Sequence, residues 1–209
     1  MIVISACLGG IACRYDGNDN LVSKIEELLQ KEDTVLICPE VLGGLPTPRP
    51  SAEIIGGNGD DVLDGKAKVM TKDGEDVTEA FVNGAYKALE QIKNLQPEYI
   101  ILKERSPSCG NSTIYTGEFN GNKQTGYGVT TALFKRYGFK VFSEEEFESK
   151  KKELTLFVNS FSICLISRLI SLSLSLEARL SSLLPKLLHL FYLSCIRVGM
   201  LLYEGFFVL

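Results

Sequence analysis

The stretch Tyr99-Ile-Ile-Leu-Lys-Glu-Arg-Ser-Pro-Ser-Cys-Gly110 decides the fold, because it joins a buried strand to a loop that carries a cysteine. Its first four residues are apolar, include two β-branched side chains, and lie between Pro97 and Pro107. This pattern favours a short central strand over a turn of helix. Cys109 is therefore predicted just beyond the carboxyl end of a strand.

Two earlier apolar runs have the same form, since each has the character of a strand and ends on a cysteine. Met1-Ile-Val-Ile-Ser-Ala-Cys7 opens the chain, and Thr34-Val-Leu-Ile-Cys38 follows a short helical pattern over residues 21–31. Ligands of open parallel α/β sheets bind outside the carboxyl ends of the strands. We therefore expect Cys7, Cys38 and Cys109 to converge at one edge of a sheet.

Helical and strand patterns alternate as far as about residue 146, which predicts an α/β domain with an open, mainly parallel sheet and helices on both faces. One helix is predicted over residues 79–94 with Thr78 as its N-cap, and another over 130–137 ends before Gly138. A last short strand covers residues 140–143.

Two segments interrupt this alternation. Residues 41–53 hold too much proline and glycine for regular structure, so we predict a stiff loop at the site end of the sheet. Residues 56–78 keep turn chemistry around a peripheral strand within 66–71. They form either a small subdomain or a cover for the active site, because a structureless loop of that length is unusual.

The composition restricts both the partners and the compartment. The chain has 209 residues, enough for one domain with a full core, and its net charge of −4 gives no field that attracts nucleic-acid polymers or anionic membranes. Met1 leads directly into a strand, without the basic and apolar regions of a secretory signal, so we expect a cytoplasmic protein. Six cysteines in such a chain indicate metal binding, catalysis or incidental thiols rather than a disulfide framework.

The composition changes abruptly after Lys152, which divides the chain into a domain over residues 1–152 and a Leu- and Ser-rich extension over 153–209. Membrane association of this extension is one interpretation. Charged residues, however, interrupt every apolar stretch before about 18 uncharged residues accumulate, which disfavours a transmembrane span. An altered reading frame or an erroneous gene end would give the same composition. We assign the extension no chemistry and expect helices if it orders.

The cysteines need different interpretations. A free cysteine often behaves as a small buried hydrophobe, and this is favoured for Cys13, Cys164 and Cys195. It is weaker for the three strand-end cysteines, which lie beside glycine or proline. Structural zinc sites usually take four ligands in close pairs such as C-x-x-C, and the sequence has no such pair. The single histidine, His189, lies in the extension.

Three thiolates without a fourth suit an iron–sulfur cluster, in which each iron normally takes one cysteine. One iron would then stay open. An open, Lewis-acidic iron can bind a sulfur or oxygen atom of a substrate, which makes the cluster a catalyst rather than an electron carrier.

Groups suited to acid–base chemistry surround these cysteines. Glu40 lies two residues beyond Cys38 and is a candidate general acid or base, with a helix cap or surface carboxylate as the alternative. Ser5, Ser106 and Ser108 lie near the same thiols, although serines beside turns more often bond the backbone. A Ser–His–Asp mechanism is excluded because the domain lacks histidine. Five charged residues either orient an anionic group or face solvent: Arg14, Arg49, Glu53, Lys103 and Arg105.

Motifs of high specificity then follow one another along the chain. They are Val3-Ile-Ser-Ala-Cys-Leu-Gly-Gly10 with Arg14-Tyr-Asp-Gly17, Cys38-Pro-Glu-Val-Leu-Gly-Gly-Leu-Pro-Thr-Pro-Arg-Pro50, and Lys103-Glu-Arg-Ser-Pro-Ser-Cys-Gly110. From Met1 to about Glu146 the chain resembles the bacterial domain-of-unknown-function 523 family, whose characterised members are thiouracil desulfidases. The extension has no counterpart in that family.

This resemblance implies a Rossmann-like domain that carries a 4Fe-4S cluster with one open iron on Cys7, Cys38 and Cys109. Cys13 falls at a position that the family does not require. By the same analogy, the open iron takes the sulfur of a thiocarbonyl such as 2-thiouracil, and Glu40 activates a water that attacks the carbon. Ser106 assists by hydrogen bonding or proton relay. The products are uracil and sulfide, without net redox change.

Two other functions stay open at this point. One is a non-catalytic iron–sulfur or metal-binding protein, such as a redox sensor or a carrier. The other is a nucleotide-binding module around Leu8-Gly-Gly10, although this glycine pattern is far weaker than the dinucleotide fingerprint. The sequence does not decide the oligomeric state, and family membership does not decide between a free thiolated base, a nucleoside and another thiocarbonyl as substrate.

Overall fold

The computed structural model describes residues 1–147 and 149, apart from the side chain of Lys31. Short helices and strands alternate along this part of the chain. In chain order they are β1 Ile2–Ser5, a 3₁₀ turn Ala6–Gly9, α1 Ser23–Lys31, β2 Thr34–Ile37, α2 Pro39–Leu42, β3 Ala52–Ile55, α3 Gly59–Leu63, β4 Lys68–Thr71, α4 Thr78–Ile92, β5 Tyr99–Leu102, β6 Thr113–Tyr115, β7 Lys123–Thr125, α5 Val129–Arg136 and β8 Val141–Ser143.

A four-stranded parallel sheet forms the centre of the fold, with the strand order β2-β1-β5-β8. The first strand is therefore flanked by the two other strands that lead to a predicted site cysteine. Ser5 lies opposite Ile37 in β2, and Ile4 lies opposite Ile101 in β5. The carboxyl ends of β1, β2 and β5 consequently meet at one edge, and the predicted α/β class with a mainly parallel sheet is confirmed.

The core packs against both faces of this sheet. Every residue of β1 and β5 is buried, as expected for strands that are covered on both sides. Val3, Ile100 and Leu102 belong to the same hydrophobic cluster as residues of α4 and α5. Tyr99, which alternates with Ile100, instead stacks on Phe147 with ring centroids 6.0 Å apart. The predicted apolar stripe of α4 lies in or against the cluster: Phe81, Val82, Ala85, Leu89 and Ile92.

Two antiparallel hairpins lie outside the central sheet. The predicted peripheral strand within residues 66–71 is β4, which pairs with β3. Between them, α3 begins after Asn58, whose side chain accepts the backbone N–H of Asp60 at 2.7 Å. Residues of β3, α3 and β4 contribute to the core cluster, so this segment is packed against the core of the domain. The second hairpin, β6 with β7, follows the Cys109 loop.

Two predictions about local structure are wrong. Residues 41–53 are not one irregular loop, because α2 reaches Leu42 and β3 begins at Ala52. Pro39 is tolerated at the start of α2, where its missing N–H would have no helical partner. Thr78 is also not the N-cap of α4 but its first residue, and its backbone N–H is accepted by Asp76 at 3.1 Å.

The extension over residues 153–209 lies outside the described residues, and so do the expectations of helices and of membrane contact there. Met1–Glu148 forms one compact unit. The domain boundary at Lys152 and the cytoplasmic location stay predictions. In the part of the chain that the structure describes, no helix has the length and apolar character needed to cross a membrane.

Close packing of α4 on α2 generates a prediction. A Cβ atom at Gly84 would lie 2.0 Å from the carbonyl oxygen of Pro39 and 3.0 Å from the backbone nitrogen of Gly43. Gly84→Ala should therefore push α2 away and lower the free energy of unfolding by about 1–3 kcal/mol, measured by urea denaturation. The exposed neighbour gives the control, because Asn83→Ala should change stability by less than about 0.5 kcal/mol. Equal stability of the two variants would contradict the close contact.

Candidate active site

The three strand-end cysteines lie at one edge of the sheet. Cys7 lies in the 3₁₀ turn that directly follows β1, and Cys38 is the first residue after β2. Cys109 lies on the loop after β5, the strand on the other side of β1. Cys7 and Cys38 are half-buried, whereas Cys109 is buried. The structure thus places all three where the sequence predicts them.

The loop that carries Cys109 is closed by a buried carboxylate. Glu104 is 3 % exposed and accepts the backbone N–H groups of Asn111 at 3.2 Å, Ser112 at 3.1 Å and Thr113 at 2.6 Å. Its own backbone N–H donates to the buried Glu144 at 2.7 Å. The two ends of the loop are therefore joined by charge-assisted hydrogen bonds, which fix the path of the segment between them.

The middle of the same loop is organised by Ser106. Its hydroxyl oxygen accepts the backbone N–H groups of Ser108 at 3.0 Å and of Cys109 at 3.2 Å, and the hydroxyl donates to Oε1 of Glu40 at 3.2 Å. Serines beside turns often bond the backbone, and this one does so while it also contacts the predicted acid–base residue. Ser106 thereby connects the Cys109 loop to α2.

Glu40 lies in the first turn of α2, directly after the Cys38-Pro39 junction. The two carboxylate oxygens of Glu40 have different partners. Oε1 accepts from Ser106, and Oε2 accepts from Nε of Arg49 at 3.0 Å and from Nη2 at 2.6 Å. The charge of Glu40 also acts on the thiol of Cys109. Glu40, Ser106 and Cys109 therefore share one site.

The other predicted serines flank the Cys109 thiol. Ser5 and Ser108 both interact with it, and both are buried. The Ser5 hydroxyl oxygen accepts the backbone N–H of Lys103 at 3.1 Å, and the Ser108 hydroxyl pairs with that of Thr130 at 2.9 Å. Both serines thus hold the surroundings of Cys109 together.

Most of the five charged residues whose role the sequence left open form ion pairs or hydrogen bonds within the protein. Arg14 pairs with Asp16, Lys103 with Glu144, and Arg105 with Glu145. Glu53 accepts the backbone N–H groups of Gly117 at 2.9 Å and Phe119 at 3.1 Å. Arg49, which contacts Glu40, belongs to the site.

Cys13 lies closer to the site than the sequence indicates. It is buried, its thiol interacts with those of Cys7 and Cys38, and the Cys38 thiol donates to its carbonyl oxygen at 3.9 Å. The segment after Cys7 turns back on itself, because the N–H of Asn20 donates to the carbonyl of Cys7 at 2.8 Å. This return of the chain brings Cys13 into contact with the other thiols, and the glycines after Cys7 are a signal for it in the sequence.

Burial and contacts with neighbouring groups raise the pKa of Cys13, Cys38 and Cys109, which holds these three thiols in their protonated form. Burial raises the pKa of Cys109 to about 12, and the charge of Glu40 adds to the rise. The hydrogen bond with Cys13 raises the pKa of Cys38, and burial raises it further. For Cys13, the contact with Cys38 lowers the pKa, but the contact with Cys7 and burial outweigh it and the pKa rises to about 11. A metal that binds these cysteines must therefore displace protons.

The arrangement is not that of a site for one ion. Within residues 1–147 and 149, no three His, Cys, Asp or Glu side chains are placed so that they could hold a single metal ion. The ligand role of Cys7, Cys38 and Cys109 therefore stays a prediction at this point.

The hydrogen bonds that Glu104 accepts at the end of the Cys109 loop, here called the Glu104 clamp, are testable by a substitution that keeps the shape of the side chain. Glu104→Gln replaces one carboxylate oxygen by an amide NH₂ group, which cannot accept the N–H groups that converge there. We expect the free energy of unfolding in urea to fall by about 1–3 kcal/mol and amide exchange of Asn111 to accelerate. Glu118→Gln, at an exposed carboxylate, is the matched control and should leave both unchanged. Unaltered exchange at Asn111 in Glu104→Gln would contradict the clamp.

The raised pKa of Cys109 predicts how stability depends on pH. The metal-free folded protein holds this proton up to about pH 12, whereas an unfolded thiol loses it near pH 9. The stabilisation is complete below about pH 9 and is lost as the pH rises towards about 12, by about 1.4 kcal/mol per pH unit. Serine does not titrate in this range. The free energy of unfolding of wild type and of Cys109→Ser is measured at about pH 8.5 and at about pH 10. Between these pH values the wild type should lose about 1.4 kcal/mol more than the variant. An unchanged difference between the two proteins would contradict the raised pKa of Cys109.

A family model described as 2-thiouracil desulfurase matches residues 2–146 of this chain. The match spans the three motifs and ends six residues before Lys152, after which the composition changes. It confirms the family resemblance that the sequence motifs indicate, and with it the enzyme class.

Two related proteins agree with this match. The chain is 53 % identical over 146 residues to the uncharacterized protein YbbK of Bacillus subtilis (strain 168). This alignment covers 70 % of this chain and 97 % of YbbK. Among solved structures, it is similar to a 4Fe-4S-dependent thiouracil desulfidase, TudS (DUF523Vcz), with a TM-score of 0.62 and 41 % sequence identity. That alignment covers 74 % of this chain and 97 % of TudS.

Proposed function

The chain belongs to the 2-thiouracil desulfurase family, and we propose that it removes sulfur from a thiocarbonyl such as 2-thiouracil with an iron–sulfur cluster held by Cys7, Cys38 and Cys109. One observation carries the proposal. Glu40 and Ser106 are in direct contact at the sheet edge where the three cysteines leave adjacent parallel strands. An acid–base pair thus lies beside a set of soft ligands.

The donor set fits an iron–sulfur cluster. Thiolates are the ligands that such clusters take, and the site offers no competing imidazole among the described residues. The similarity to TudS, a protein that depends on a 4Fe-4S cluster, supports the same cofactor here. Cys7, Cys38 and Cys109 would hold such a cluster and would leave one iron without a cysteine ligand, where the substrate would bind. When bound, the cluster supplies a Lewis acid for the thiocarbonyl sulfur.

The chain's own residues supply the proton transfers. Glu40 accepts a proton from water at Oε1, and the water oxygen forms a bond to the thiocarbonyl carbon. The carbon–sulfur bond then breaks and the sulfur leaves as sulfide, with the protons of the water distributed between the sulfide and the solvent. Carbon keeps its oxidation level, because its double bond to sulfur is exchanged for a double bond to oxygen and the water gives up both of its protons. The reaction needs no oxidant or reductant.

The hydroxyl of Ser106 donates its hydrogen in one direction, towards Glu40. Its hydroxyl oxygen already accepts two backbone N–H groups, so the hydroxyl hydrogen is left for Oε1 of Glu40. Ser106 thereby orients this oxygen by donating a hydrogen bond to it. The substrate is proposed to be a small thiolated pyrimidine or a related thiocarbonyl, in a cytoplasmic protein that binds no nucleic-acid polymer.

The proposal is tested with the full chain, purified without oxygen and reconstituted with iron and sulfide. We expect about four irons and four sulfides per chain, and release of equal amounts of uracil and sulfide from 2-thiouracil without an added redox partner. A loaded cluster without sulfide release would instead favour a non-catalytic iron–sulfur protein. Binding of zinc, or of no metal, would reject the cluster.

Substitution of Glu40 separates cluster binding from catalysis. Glu40→Gln should keep the iron and sulfide content but lower kcat by about 100-fold or more, because the amide cannot take the proton. Glu90→Gln, at an exposed carboxylate that pairs with Lys93, is the control and should keep full activity. Full activity of Glu40→Gln would remove Glu40 from the mechanism. Cys109→Ser should in contrast lose the cluster itself.

A further inference from the structure

We propose that Arg49 is a positioning residue that determines which oxygen of Glu40 takes part in the reaction. The inference rests on the proposed function and adds to it a role for Arg49, which the sequence left open between orienting an anionic group and facing solvent. It follows from the contacts of one guanidinium group, whose side chain is 6 % exposed.

All five N–H groups of this guanidinium have a partner within the protein. Nε donates to Oε2 of Glu40 at 3.0 Å, and Nη2 donates to the same oxygen at 2.6 Å and to the carbonyl of Cys13 at 3.1 Å. Nη1 donates to the carbonyl of Pro46 at 3.0 Å and to the hydroxyl oxygen of Thr47 at 3.2 Å. No donor is left over for a substrate or for any other anion.

The guanidinium is itself fixed from three directions. It contacts Glu40 in α2 and the carbonyl of Cys13 in the loop after β1. It also contacts Pro46 and Thr47 in the loop between α2 and β3. The backbone N–H of Arg49 also donates to the carbonyl of Tyr15 at 2.8 Å. Arg49 therefore cannot turn towards another partner without breaking several hydrogen bonds at once.

The consequence for Glu40 is an asymmetric carboxylate. Oε2 is held by two charge-assisted hydrogen bonds, so Oε1 is the oxygen that remains for Ser106 and for the attacking water. The Glu40 side chain is only 16 % exposed, and without Arg49 its carboxylate would lose two of its three hydrogen bonds and would be free to rotate. Arg49 acts on the reaction through Glu40 and does not touch the substrate.

This placement predicts a change in kcat without a change in KM. Arg49→Lys keeps the positive charge but offers three donors from one point and cannot reproduce the planar fork. In the reconstituted full chain we expect kcat with 2-thiouracil to fall about 10- to 100-fold, because Glu40 is misplaced, whereas KM and the iron content stay within about twofold. A rise in KM at unchanged kcat would identify Arg49 as a substrate ligand and overturn the proposal.

Arg136→Lys is the matched control. Arg136 also donates from Nε and Nη2 to carboxylates, those of Asp60 and Asp64, and none of these partners belongs to the site. Its substitution should leave kcat, KM and iron content unchanged. A loss of kcat in both variants would indicate a general effect of removing an arginine and would overturn the proposal.

A second measurement does not depend on turnover. Carboxylates of the holoprotein are coupled to glycine ethyl ester with a water-soluble carbodiimide, and the labelling of Glu40 is followed by peptide mass spectrometry. We expect slow labelling in wild type and at least about fivefold faster labelling in Arg49→Lys, because Oε2 is released. Equal rates would overturn the proposal even if sulfide release from thiouracil had failed, so the two failures are distinguishable.

Thr47→Val covers the case in which Arg49→Lys does not fold. Thr47 is exposed, and the substitution removes one hydrogen bond to Nη1 of Arg49 while it keeps a β-branched side chain. A fall in kcat of about two- to fivefold at constant KM, with faster labelling of Glu40, would support the proposal. Unchanged kcat and unchanged labelling in this variant would overturn it.

Discussion

Parallel pairing of β1 with a strand on each side is the constraint on which the site depends. In a parallel sheet all strands run in one direction, so whatever follows β2, β1 and β5 emerges at the same edge. Three cysteines that are separated by up to about a hundred residues thereby become neighbours without any local motif that joins them. The register of the sheet pairs Ser5 with Ile37, so Cys7 and Cys38 each follow within two residues of this pair.

Two carboxylates, one buried and one half-buried, then hold the loops at this edge in place. Glu104 gathers the end of the Cys109 loop, and Glu40 joins α2 to Arg49 and Ser106. A buried charge is costly unless it is paired or receives several hydrogen bonds, and both groups meet that condition within the protein. The loops at this edge are therefore held by electrostatic contacts, whereas the sheet beneath them is held by apolar packing and backbone hydrogen bonds.

Sequence patterns predicted the parts of the molecule that local chemistry determines. Thr34–Ile37 and Tyr99–Leu102 are strands with the predicted bounds, because a β-branched run between prolines or charges has few alternatives. Glu40 was found through its proximity to Cys38 in the chain. The contacts of Cys13, Arg49 and Glu104 were not predicted, since each depends on how an irregular loop returns to the sheet. Thr78 was wrongly predicted as the N-cap for a related reason. The side chain of Asp76 accepts the backbone N–H of Thr78, and Thr78 is therefore the first residue of the helix.

The closure of the Cys109 loop by Glu104 bears on what holds this loop in place. All of its hydrogen bonds join protein atoms to one another, so none of them requires a metal. Small zinc domains differ, because in them the metal drives folding and its removal unfolds the chain. The polypeptide's own carboxylate and amide groups thus take the part at this loop that a metal ion takes in a zinc finger.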